Sequence, residues 1–306
     1  MSVPRVVSLL PSATEIVAGL GVDPVATSHE CDYPHRIADS PSVVESRIDA
    51  TASSADIDSQ VQTADADDGV YRIDREALAA ADPDLVISQG ICEVCAVDTV
   101  LVEAAIEELG LDCELLTTDP HSLEDILSDI ERIGAALGRT DRADELVGEL
   151  RARIDRVVTA VGERPIEPTV AVLDWLDPPM VAGHWVPELV RLAGGEYGLA
   201  DPGDASTPRE WSTIREYDPD VLVAAPCGFG LEQTFENRRD LTDRPGYSSL
   251  RAVRMNRAYA VDGHHLMNRP GPRVVDTLET IASLLHPDAV DAPELPMARP
   301  LSEPPE

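Results

Sequence analysis

The chain has 306 residues, of which 57 are acidic and 24 basic, for a net charge of -33. A field of that sign repels phosphate, which excludes nucleic acid and anionic lipid surfaces as partners. Every basic residue is an arginine and the acids are spread along the whole sequence, a composition suited to a salt-saturated cytoplasm, where the Debye length at 1 M salt is about 3 Å and carboxylates no longer repel one another.

With 43% hydrophobic residues the chain can bury one large core or two medium ones. Its start, Met1 to Pro11, lacks a signal-peptide core, a twin-arginine pair and a cysteine for lipidation. No apolar run approaches the roughly 20 residues that span a bilayer. The sequence as written therefore predicts a cytoplasmic protein, and an extracytoplasmic, membrane-associated one if the true start lies upstream. Five cysteines, an odd number, argue for thiols or metal ligands over a disulfide framework.

In chain order, Arg5 to Leu9 reads as a buried strand and Ala13 to Leu20 as a helix closed by Gly21, with Ser12 and Glu15 at the spacing of a capping box. Val25 to Ser28 is a short strand that runs into Ser28-His29-Glu30-Cys31-Asp32-Tyr33-Pro34. Residues 55–64 and 75–81 read as helices, Asp84 to Ser88 as a strand running into Gln89-Gly90-Ile91-Cys92-Glu93-Val94-Cys95, and Cys113 to Thr117 as another strand. Strand, loop and helix in alternation predict a parallel α/β sheet. Ser122 with Asp125 opens a helix to about Leu137. Asp141 is expected to cap a second helix reaching Val161, with Ala143, Leu146, Val147, Leu150, Ile154, Val157, Val158 and Val161 forming one apolar stripe on a rod roughly 30 Å long. The α/β pattern then restarts: strands at 169–173, 221–225 and 258–261, helices at 187–193 and 272–285. The predicted layout is an N-terminal α/β lobe (1–120), a linking helical segment (121–164), a C-terminal α/β lobe (165–288) and an acidic, proline-rich tail (289–306).

The stretches Leu10-Pro11-Ser12-Ala13-Thr14-Glu15, His29-Glu30-Cys31-Asp32-Tyr33-Pro34, Cys92-Glu93-Val94-Cys95-Ala96-Val97, Gly183-His184-Trp185-Val186-Pro187-Glu188-Leu189 and Asn268-Arg269-Pro270-Gly271-Pro272 resemble the cobalamin-binding type of the class III substrate-binding proteins of ABC importers. The resemblance runs over about residues 4–286. It implies two Rossmann-like lobes joined by a stiff helix, non-covalent and non-catalytic capture of a corrinoid such as cobalamin or of an iron chelate between the lobes, and delivery to ABC permease and ATPase subunits. In the family, acidic residues of each lobe meet arginines of the permease; by analogy these are Glu93 and Glu188, although helix capping is the simpler account of Glu188. Secreted members carry an export signal or anchor, and this chain shows neither, so a cytosolic corrinoid carrier is a further reading. A monomer is expected.

In open parallel sheets ligands sit beyond the carboxyl ends of the strands. That rule gathers Pro11, Ser12, His29, Tyr33 and Gln89 on the first lobe and Trp175, His184, Trp185, Phe229, Asn268 and Arg269 on the second, with the whole segment from His264 to Arg269 at the second mouth. The aromatic residues, scarce elsewhere, suit a flat ligand, or pack beneath their loops. Gln89, Asn268 and Arg269 could bond its rim amides, or Arg269 could pair with carboxylates. His29, Cys31, Cys92 and Cys95 allow three readings: a tetrahedral zinc or iron site, a thiolate or imidazole offered to cobalt, or plain packing. His184 is the other candidate axial ligand. The rival to a binding protein is a thiol or metal redox enzyme using Cys92 and Cys95, whose Cys-x-x-Cys spacing at a helix start lowers a thiol pKa.

Overall fold

The computed structural model describes residues 3–67, 69–91, 97, 99–162, 167–293 and 297–303. Two six-stranded sheets organise it. The first contains β1 (Val6–Ser8), β2 (Ala26–Ser28), β3 (Ser42–Ser46), β4 (Tyr71–Ile73), β5 (Leu85–Gln89) and β6 (Glu114–Thr118), in the order β4-β3-β2-β1-β5-β6. All its pairs are parallel except the edge pair β3 and β4. The second contains β7 (Val170–Leu176), β8 (Pro179–Val181), β9 (Thr207–Pro208), β10 (Val221–Ala224), β11 (Ala258–Val261) and β12 (Ala298–Pro300), in the order β12-β11-β10-β7-β8-β9. Here β7, β10 and β11 are parallel, whereas β8, β9 and β12 run antiparallel at the edges.

Strands β1, β5 and β10 are buried along their whole length, as expected where helices cover both faces of a sheet. The two lobes are thus the expected α/β units, with mixed rather than wholly parallel sheets. Strands β3, β4, β8, β9 and β12 escaped the sequence reading because they are short and lack the long apolar run of a central strand. Within the predicted tail, β12 pairs with β11 at the edge of the second sheet, and Leu301 beside it is 4% exposed.

The link is made by helices Leu123–Ala136 and Thr140–Val161. Ser122 and Asp125 form the reciprocal capping box that their spacing predicts. Asp141 does not cap the second helix. Arg139 occupies that position without a side-chain bond, and Asp141 lies within the first turn. The helices approach closely where Gly134 faces Ala143, since a Cβ on Gly134 would lie 2.4 Å from the Ala143 methyl. Of the predicted stripe, Ala143, Leu146, Val147, Leu150, Val157 and Val161 are buried, while Val158 is exposed. A single apolar cluster runs from Val6 and Ile16 in the first lobe through Ile126, Ile130 and Leu150 in the link to Val172 and Leu278 in the second lobe. Continuity of packing makes the connection stiff.

One buried acid makes this region pH-sensitive. Asp129 is 4% exposed, with Arg132 Nη1 at 2.6 Å. Burial pushes its pKa to about 6 against the Arg132 charge. An acid whose folded pKa exceeds its unfolded value holds its proton more tightly in the folded state, so it destabilises the fold as pH rises from about 4 through 6. Asp129→Asn is therefore expected to gain up to about 3 kcal/mol over the parent at pH 8 and little at pH 4. Denaturant midpoints in molar salt at the two pH values check this; a difference that does not change with pH contradicts it.

Candidate functional site

Because β1, β2, β5 and β6 are mutually parallel, their carboxyl ends lie on one edge of the first sheet, and those of β7, β10 and β11 lie on one edge of the second. The lobes meet across these two edges. Pro11 starts the helix Pro11–Gly19 at its first position, where its missing N–H costs nothing. Leu10 stands at the cap without a side-chain bond, and Ser12 is buried inside the helix. The capping box predicted from Ser12 and Glu15 does not form. Glu15 is instead drawn across the interface, where Oε1 accepts from Arg269 Nη1 at 3.0 Å and Oε2 from Arg273 Nε at 2.9 Å; Arg273 Nη2 also donates to Oε1. Side chains of Glu15 and Arg269 are 2% and 4% exposed, so this is a buried ion pair.

The loop after β2 contributes the next part. Asp32 Oδ1 accepts from Arg269 Nη1 at 2.7 Å, and its Oδ2 lies 3.2 Å from His264 Nε2 and 2.9 Å from His265 Nε2. Both histidines stand on a wide turn of π-helical geometry, Gly263–Met267, whose first N–H groups are met by Asp262 through His265 N at 2.6 Å. Gly263 is required there, because a Cβ would lie 2.1 Å from the Pro226 carbonyl oxygen. His265 Nδ1 is 2.8 Å from Asp262 Oδ2, so carboxylates bracket its ring, and hydrogen bonds to Asp262 and then Asp32 push its pKa up to about 9. Burial opposes ionisation of Asp32, yet the bonds from His264, His265 and Arg269 outweigh it and hold the carboxyl well below the usual range.

The expected ligand contacts divide on inspection. Tyr33 is 42% exposed, and the Arg273 guanidinium lies 4.2 Å from its ring centroid, a cation–π contact. Trp175 is half-buried at the end of β7 and meets Phe229 edge-on at 5.3 Å. Phe229 and Trp185 are core rather than mouth residues, at 2% and 6% exposure, and the Trp185 indole donates to the Met267 carbonyl. Asn268 spends its amide on the Ala225 and Gly263 carbonyls at 2.9 and 3.1 Å, fixing the turn instead of facing a ligand. Arg269 has Glu15 and Asp32 as partners, so the pairing alternative holds for it. Gln89 is buried, its carbonyl accepting from Thr99 Oγ1. Ser12 lies against Gly271 of the other lobe, whose Cβ would approach the Ser12 carbonyl to 3.2 Å.

His184 has φ of 53° and stands beside the carboxyl end of β6, its ring 5.4 Å from that of His121. Burial, followed by the neighbouring His121 charge, lowers its pKa, and its buried Nδ1 lacks a hydrogen-bond partner. At neutral pH it is a neutral imidazole, one of whose two nitrogens carries a lone pair. Glu188, expected at a docking surface, accepts from Leu123 N at 2.9 Å and so satisfies the start of the helix Leu123–Ala136.

Cys92, Glu93 and Cys95 lie outside the described residues. The two described members of the expected Cys/His set have separate partners. Cys31 is buried, takes a hydrogen bond from Thr14 Oγ1 at 3.0 Å, and burial pushes its thiol up to about 11. His29 contacts Ser28 and Glu30 and tilts against the Tyr71 ring. What the sequence reading missed is the meeting of Asp32 with His264 and His265, 232 residues further on. The adjacent histidine pair in a mouth loop was the available signal.

The family described as "Periplasmic binding protein" matches residues 6–264 of this chain. Among curated proteins, the "Uncharacterized ABC transporter substrate-binding lipoprotein YvrC" of Bacillus subtilis is 23% identical over 291 residues, covering 93% of this chain and 80% of that one. Among solved structures, the periplasmic heme-binding protein RhuT of Roseiflexus sp. RS-1 is 24% identical with a TM-score of 0.71, over 94% of this chain and 100% of its own. A periplasmic heme-binding protein of Pseudomonas aeruginosa reaches 0.73 at 21% identity, over 97% of each. The periplasmic vitamin B12-binding protein BtuF of Vibrio cholerae reaches 0.66 at 21% identity, over 92% of this chain and 96% of its own.

Proposed function

We propose that this chain, which belongs to the periplasmic binding protein family, is a non-catalytic substrate-binding protein of an ABC importer and that the ligand it captures between its lobes is a corrinoid. The observation that carries this reading is His184, a neutral imidazole with an unpaired Nδ1 at the edge where the two lobes meet. Neutral imidazole is the form that ligates a metal, and a corrin presents cobalt along the axis of a flat ring. Tyr33 on one lobe and Trp175 on the other supply partly exposed aromatic surface for that ring. The solved proteins of like fold described as binding heme or vitamin B12 support a tetrapyrrole-type ligand in general. The reading of Cys92 and Cys95 as a redox centre is not favoured, since the family is one of binding proteins.

Titration in molar salt with aquocobalamin, cobinamide and haem, followed by visible spectrum and heat, tests the proposal. A corrinoid should bind tightest, at micromolar concentration or below. His184→Ala should weaken it at least about tenfold, equivalent to about 1.4 kcal/mol, and abolish the spectral shift of imidazole coordination. Absence of any response to corrinoids defeats the proposal, and tighter binding of haem replaces it with a haem carrier.

A further inference from the structure

We propose that Asp32, His264 and His265 form a binding site for one divalent transition-metal ion that clasps the two lobes together. One ligand atom from each of the three lies within 4.8 Å of the others, and Asp32 Oδ2 is 3.2 and 2.9 Å from His264 Nε2 and His265 Nε2. Ligands held about 2.0 to 2.2 Å from a zinc-like ion at angles between square and tetrahedral stand roughly 2.9 to 3.5 Å apart, so these spacings admit an ion with little movement. Two imidazoles and one carboxylate on one side of a site are a recurrent donor set for first-row metals.

The surroundings match that use. A ligating histidine is oriented by a carboxylate on its other nitrogen. His265 Nδ1 is held by Asp262 at 2.8 Å, and His264 Nδ1 lies 3.4 Å from Glu30 Oε2. Arg269 Nη2 is 2.9 Å from His264 Nε2. That nitrogen lies between the Arg269 donor and Asp32 Oδ2, and a guanidinium only donates, so an ion taking the Nε2 lone pair would displace Arg269 from it. Arg269 keeps its bonds to Asp32 Oδ1 and Glu15, leaving Oδ2 for the ion. In charge, Glu15, Glu30, Asp32 and Asp262 against Arg269 and Arg273 leave an excess of two negatives, which a divalent ion balances once it has displaced any proton from the ligating imidazoles. The site is independent of the corrinoid proposal: it uses none of His184, Tyr33 and Trp175.

Cobalt(II) and zinc(II) are the probes, added without corrinoid to the full chain stripped of metal by chelator. The expected result is one equivalent bound per chain, a visible cobalt spectrum without a near-ultraviolet thiolate charge-transfer band, and a raised melting temperature. His265→Ala and Asp32→Asn should each lower affinity at least about a hundredfold, and the orienting variant Asp262→Asn about 10- to 100-fold. The cobalt spectrum of the unaltered chain needs no variant to fold. A thiolate band, no binding at millimolar metal, or affinity unchanged in folded His265→Ala overturns the proposal.

Discussion

Arg269→Ala is expected to lower the stability of the folded protein by about 3 to 5 kcal/mol, the usual cost of leaving a buried charge without its partner. The side chain is 4% exposed and joins Glu15 of one lobe to the segment after β11 of the other. Removing it strands Glu15 on Arg273 alone and deprives Asp32 of its 2.7 Å donor. Arg72→Ala provides the comparison. Arg72 pairs with Glu45 where both side chains are more than half exposed, so solvent screens the pair and its loss should cost far less. Denaturant unfolding of both variants in molar salt reads the difference. Equal costs would mean that the inter-lobe ion pair does not hold the lobes.

Desalting should cost the protein its structure. At about 0.01 M salt the Debye length grows to roughly 30 Å, the length of the linking helix, so the net charge of -33 acts across a whole lobe. Surface pairs such as Arg142 with Glu145 and Arg151 with Glu124 strengthen in dilute buffer. Each contributes only about 0.2 to 1 kcal/mol, and 24 arginines cannot pair 57 acids. Far-ultraviolet circular dichroism during dialysis from molar salt should show loss of helix that returns when salt is restored. A spectrum unchanged in dilute buffer contradicts the reading of this composition as one adapted to high salt.

Local signals carried much of the fold in the sequence. The helix Arg75–Ala81 and the strand Ala258–Val261 appear at their predicted bounds, because an N-cap aspartate in one case and a continuous apolar run in the other decide the matter within a few residues. The rod Thr140–Val161 was visible from its apolar stripe at steps of three and four. Where a local signal competes with a distant partner, the distant partner decides. Ser12 and Glu15 have capping-box spacing, but Glu15 answers to arginines 254 and 258 positions away. Which side chains face across the strand-end loops was not legible in the sequence. Trp185 and Phe229 turn inward, at 6% and 2% exposure, and Asn268 turns back to hold the wide turn. Asp32, His264 and His265 come together only once both lobes are built.

The central claim is that the strand ends of the two lobes form a single ligand site. Hydrogen–deuterium exchange of the chain in molar salt, with and without saturating corrinoid, tests it most directly. The account predicts slowed exchange in peptides from both lobes at once, around residues 29–33 and 119–121 of the first and 174–184 of the second, with the linking helix Thr140–Val161 unchanged. Protection confined to one lobe, or located on the outer faces of the sheets, would contradict it.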